Sequence, residues 1–154
     1  MKELNDKTLD TIRQLYGEAQ NWARYYEQTI VNAGVLIISA CLIFVGLAFG
    51  DKATSQQSVW MLGIAGCMNA GGIVLTLTLF RMYAICVERM IRYEDLLDCY
   101  DVALMKSIDG KGSLLPVAMQ NLPVRRSILV NFFLALHGFL ILVYLVIGTV
   151  RFTS

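Results

Sequence analysis

Long uninterrupted apolar runs alternate along this chain with segments where charged and apolar positions mix at helical spacing. Residues 29–50, 59–80 and 127–150 contain no Asp, Glu, Lys or Arg. Each run is long enough as a helix to cross about 30 Å of hydrocarbon, which takes roughly 20 residues. Before the first run, Leu9, Ile12, Tyr16, Ala19, Ala23, Tyr26 and Ile30 recur in steps of three and four. That spacing places them on one stripe of a helix leading into the span. The same periodicity returns after the second run at Cys86, Met90, Tyr93, Leu97, Tyr100 and Leu104, with no Gly or Pro between Ile73 and Ile108 to stop the helix.

The pattern predicts an all-α membrane protein. It has an amphipathic helix over 1–28, transmembrane helices over 29–50, 59–80 and 127–150, an outer loop over 51–58 and an outer tail over 151–154. The second span continues into a helical extension over 81–106, and Gly110, Gly112, Pro116 and Pro123 make 107–126 a loop.

Charge sets the expected orientation, because Lys and Arg are retained on the cytoplasmic side during insertion. Of the 13 basic residues, 11 flank the spans on the side of the N-terminus and the 81–126 segment, and only Lys52 and Arg151 lie on the other. This predicts a cytoplasmic N-terminus, an external C-terminus and residence in a cell membrane. Trp22, Tyr25, Tyr26, Tyr83 and Trp60 fall at the span ends, where amphipathic rings favour the headgroup layer. Residues 1–28 lack the order of a cleaved signal peptide.

Composition agrees with the membrane reading. The 154 residues are 56% hydrophobic and 16% charged, against about 25% charged in an ordinary soluble domain. A net charge of +1 gives no electrostatic handle on nucleic acid. Cys41, Cys67, Cys86 and Cys99 form no C-x-x-C pair and read as small packing residues under reducing conditions.

The candidate chemistry lies inside the spans, where a polar side chain is costly unless paired. Ser39, Asn69 and His137 sit near the middle of their respective spans, which predicts a polar layer at one depth. Gly63, Gly66 and Gly72 mark a close-packing face on the second helix. Three readings of the polar layer stay open. The residues hydrogen-bond and set helix register, they line a hydrated path that His137 can gate, or His137 ligates a haem, for which a single histidine is a poor match. No cofactor or metal is expected. With no second histidine and no nucleophile–base spacing, the chain is not expected to be an enzyme.

The stripe Met90, Tyr93, Leu97 and Tyr100 is the candidate assembly surface outside the membrane. It suits a helix hairpin packing on itself, an intersubunit collar, or a helix lying on the bilayer.

The order of parts, with Arg81-Met-Tyr-Ala-Ile-Cys-Val-Glu-Arg-Met-Ile-Arg-Tyr-Glu-Asp-Leu-Leu following the second span, resembles small oligomeric bacterial membrane proteins. Among these are the two-helix SLATT-type effectors of antiphage systems. The resemblance covers roughly residues 9–104. It implies self-assembly in the lipid bilayer and membrane perturbation on a trigger, and it carries over no individual functional residue. The expectation is a homo-oligomeric pore-forming or membrane-perturbing effector of stress or phage defence. The alternative is a non-conducting accessory or scaffold subunit that binds a cytoplasmic or membrane protein.

Overall fold

A computed structural model describes residues 6–50, 53–97, 99 and 128–153. They form α1 (Asp6–Ala48), α2 (Ser55–Leu96) and α3 (Ile128–Thr153). All three helices are long and apolar enough to span a membrane. The segment 107–126, Tyr100 and the end of the 81–106 extension lie outside the described residues.

The helices α1 and α2, at 43 and 42 residues, are about twice the length needed to cross a bilayer. Their polar halves contribute to one compact unit, Met1–Tyr26 with Arg81–Arg125, and their apolar halves join α3 in a second, Glu27–Phe80 with Arg126–Ser154. The division falls where the charged sequence gives way to the apolar runs.

In the first unit, Ile12, Ala19 and Ala23 are buried, and Leu9, Tyr16 and Tyr26 are half-buried. This is the stripe that the three-and-four spacing marks. Met90 and Tyr93 on α2, and Leu97 just past its end, are half-buried. The Tyr16 hydroxyl donates to Glu94 Oε1 at 3.0 Å, tying residues 78 positions apart. Burial, and then this bond to a carboxylate, hold the Tyr16 phenol above its usual range near 10. Trp22, Tyr25 and Tyr26 cluster with ring centroids 5.6–5.9 Å apart.

In the second unit α2 buries Ser58, Leu62, Ala65, Asn69, Gly72 and Thr76, an unbroken alternation of four and three. The other helices bury Ile30, Cys41 and Ala48 on α1 and Val130, Phe133, His137 and Tyr144 on α3. Two apolar clusters result. Cys41, Ala48, Leu62, Ala65 and Tyr144 form one, and Ile30, Val130 and Phe133 form the other.

The turn between α1 and α2 is tighter than the expected 51–58 loop, because α2 already begins at Ser55. Thr54 and Gln57 cap it reciprocally. The Gln57 N–H donates to Thr54 Oγ1 at 3.3 Å and the Thr54 N–H to Gln57 Oε1 at 3.1 Å, satisfying two amides that a helix start otherwise leaves orphaned. Ser58, one turn inside, is 1% exposed. Its Oγ lies 2.7 Å from the Ala48 carbonyl, to which it donates, pinning the end of one helix to the start of the next.

Gly34 shows where two helices approach closely. A Cβ built there would stand 2.5 Å from the Phe133 ring, inside van der Waals contact. Gly71 has no atom of a neighbouring element within 4 Å of such a Cβ. Gly34→Ala should therefore destabilise the fold by about 1–3 kcal/mol through overpacking. Gly71→Ala should be neutral or stabilise by up to about 1 kcal/mol through helix propensity. Denaturant titration in mixed micelles checks the pair, and equal responses would contradict this packing.

Candidate functional site: a buried polar cluster

In a span, the backbone satisfies itself and each polar side chain has to find its own partner. On α2, Asn69 is placed to do this, lying four residues after Ala65 on the buried stripe. Its Nδ2 is 2.9 Å from the Ala65 carbonyl oxygen and 2.9 Å from Cys41 Sγ on α1, and it carries two hydrogens, one for each. The Cys41 thiol donates in turn to the same Ala65 carbonyl, at 3.4 Å. Asn69 Oδ1 faces His137 Nδ1 on α3 at 2.7 Å. One amide thus bonds to all three helices, counting its own.

The donor count fixes the proton on the imidazole. Reversing the Asn69 amide would set Oδ1 against the Ala65 carbonyl, two acceptors facing each other, so Oδ1 is the atom that meets His137. It can only accept, so His137 Nδ1 carries the hydrogen and Nε2 keeps a lone pair. Nε2 is buried with no hydrogen-bond partner among the described residues. An unused lone pair there is less costly than a buried N–H without an acceptor.

Gly72 makes room for the ring, since a Cβ built at this position would lie 2.7 Å from Cε1 and 2.9 Å from Nε2. Phe133, one turn before His137, tilts its ring alongside with centroids 6.5 Å apart. The Tyr144 hydroxyl is also buried. Tyr144 packs in the apolar cluster with Cys41 and Ala65, and its hydroxyl makes no hydrogen bond among the described residues.

Asn69 and His137 are therefore in direct contact, both 0% exposed. Ser39 is not with them. It lies on the exposed side of α1, and Cys41, two residues and about 200° further round the helix, occupies the place expected for it. Of the glycine face, Gly72 packs against His137, whereas Gly63 is exposed, Gly66 is half-buried, and neither would bring a Cβ within 4 Å of another element. Both border a groove of about 520 Å³ between α2 and α3, lined also by Cys67, Leu145 and Gly148. The stripe residues Met90, Tyr93 and Leu97 belong to the other unit, and Tyr100 lies outside the described residues.

Cys41 and the Ala65 carbonyl are the members that reading for polar residues passes over. The available signal is Gly34, Cys41 and Ala48 recurring every seven positions on α1, the small-residue side on which a neighbouring helix can close.

Chemically, the cluster is built to hold position. The thiol donates to a carbonyl and accepts from an amide, and neither is a base that would ionise it. Among the described residues, no three His, Cys, Asp or Glu side chains come together as a metal site would need.

Comparison with protein families, with characterised proteins and with solved structures finds no match to this chain.

Removing Asn69 leaves the imidazole N–H without its acceptor and the Cys41 sulfur without the N–H it accepts, while the thiol keeps its bond to the Ala65 carbonyl. Asn69→Leu should lower stability in mixed micelles by roughly 1–3 kcal/mol. The double variant Asn69→Leu/His137→Phe should lose less than the sum of the two single losses, because both remove one shared bond. Strict additivity would contradict the network.

Proposed function

We propose that this chain is a homo-oligomeric multi-pass membrane protein, acting as a pore-forming or membrane-perturbing effector whose working surface forms between copies. The reading takes the chain to lie in a bacterial inner membrane, N-terminus in the cytoplasm, in accord with the distribution of its basic residues. One observation carries it. Asn32 and Ser39, both in the first span, are exposed, facing away from the core in a part of the chain whose natural surroundings are lipid. Polar groups turned outward at such depth need other copies or water against them.

A second reading, a non-conducting scaffold subunit, is favoured by the state of Asn69 and His137. They sit sealed inside one copy and bonded to each other, so they offer ions no path through a single chain.

Flux measurement separates the two. Purified protein in liposomes of bacterial lipid should release a trapped small ion at a rate rising more steeply than linearly with the protein-to-lipid ratio, as assembly requires. Liposomes that stay tight at every ratio, while protein recovered from them is oligomeric, would favour the scaffold.

A further inference from the structure

The outward side of α1 carries more than two isolated polar groups. Asn32, Leu36, Ser39, Ile43 and Gly46 follow one another at steps of four, three, four and three, and every one is exposed. Leu36 and Ile43 are 71% and 64% exposed, and a Cβ at Gly46 would meet nothing within 4 Å. Asn32 stands nine positions before buried Cys41, two and a half turns of a 3.6-residue helix. The stripe therefore runs along the side of α1 opposite the one packed on α2 and α3. Neither the Asn32 amide nor the Ser39 hydroxyl has a hydrogen-bond partner among the described residues.

We propose that this stripe is the interface through which α1 packs, in parallel, against α1 of a second copy of the chain. The proposal rests on the homo-oligomer reading and specifies its contact. Any helix face repeats at four and three; what marks this one is that its polar and small residues, Asn32, Ser39 and Gly46, recur every seven positions, the period of the seam between helices that wrap around one another. A face that meets only lipid chains gains nothing from polar side chains.

The identity of the occupant follows from the side chains. Copies inserted by the same charge rule share one orientation, so symmetry brings each position of the stripe to the same position on its neighbour. An amide carries both a donor and an acceptor, so Asn32 is complementary to Asn32. A single Asn on such a seam sets register and copy number. Ser39 pairs two layers further in, and Gly46 lets the backbones close at the far end. A small ring would close its axis, and a larger one would leave a lumen lined by these same residues.

The α2–α3 groove beside Gly63 and Gly66 is the rival surface. Its lining is almost wholly apolar, and lipid satisfies it without a partner.

Cysteine cross-linking in native membranes distinguishes the surfaces. With Cys67, Cys86 and Cys99 replaced by Ala and buried Cys41 retained, Leu36→Cys and Ser39→Cys should each give a disulfide-linked dimer on mild oxidation. Val146→Cys on the exposed side of α3 should not. Unreactive Cys41 in each variant reports that the three-helix core is folded. In addition, Asn32→Leu should weaken self-association in detergent by roughly five- to thirty-fold. If the protein sediments as an oligomer but the seam variants fail to cross-link, the seam is wrong and the homo-oligomer reading stands. If it is monomeric at every concentration in mild detergent, both fall.

Discussion

The Asn69 side chain is the interaction on which the membrane half of this structure turns. Apolar packing alone gives three helices little reason to choose one rotation over another in a solvent as apolar as themselves. The amide removes that freedom. It reaches Cys41 on α1 and His137 on α3 while bonding to the carbonyl one turn back on its own helix. Any rotation of α1 or α3 about its axis breaks a bond that no lipid can replace. Gly72 and Gly34 supply the space this arrangement demands, one beneath the imidazole and the other beneath Phe133. The glycines and the amide act as one device, since without close approach the donors would not reach.

That device also bears on function. A polar layer at the centre of a membrane helix bundle invites the idea of a conduit, but here its donors and acceptors point at one another. What remains unused is the lone pair of His137 Nε2 and the Tyr144 hydroxyl, both sealed from solvent. Polar groups turned outward include Asn32 and Ser39 on the opposite side of α1 and Asn131 on α3. The polar groups of the apolar runs thus divide between an inner set bonded within the copy and an outer set, of which the proposed assembly would use Asn32 and Ser39.

Much of this is legible in the sequence, because charge-free length and three-and-four spacing are direct consequences of hydrocarbon thickness and helix geometry. The stripe from Leu9 to Tyr26 is the buried side of the first unit, and equal depth puts Asn69 and His137 at one level, as it does Ser39, which faces away. The rotation of α1 is less legible. Ser39 is the more polar residue and invites the inward position, yet Cys41 takes it, since a thiol both packs as a small apolar group and accepts a hydrogen bond. Depth comes from counting residues, whereas rotation depends on which small residues let a neighbour close, and Gly34, Cys41 and Ala48 signal that only weakly. The start of α2 was readable from Thr54 and Gln57, a capping pair hidden by the turn-like residues before it.

The central claim, that one amide locks three helices with His137 in a single tautomer, is tested most directly by nitrogen NMR of His137 in lipid bilayers at neutral pH. The account predicts a neutral imidazole protonated at Nδ1 and bare at Nε2, with a through-space contact between Nδ1 and the Asn69 side-chain amide. An Nε2-protonated ring, or a ring whose ring N–H proton exchanges rapidly with water, would contradict it.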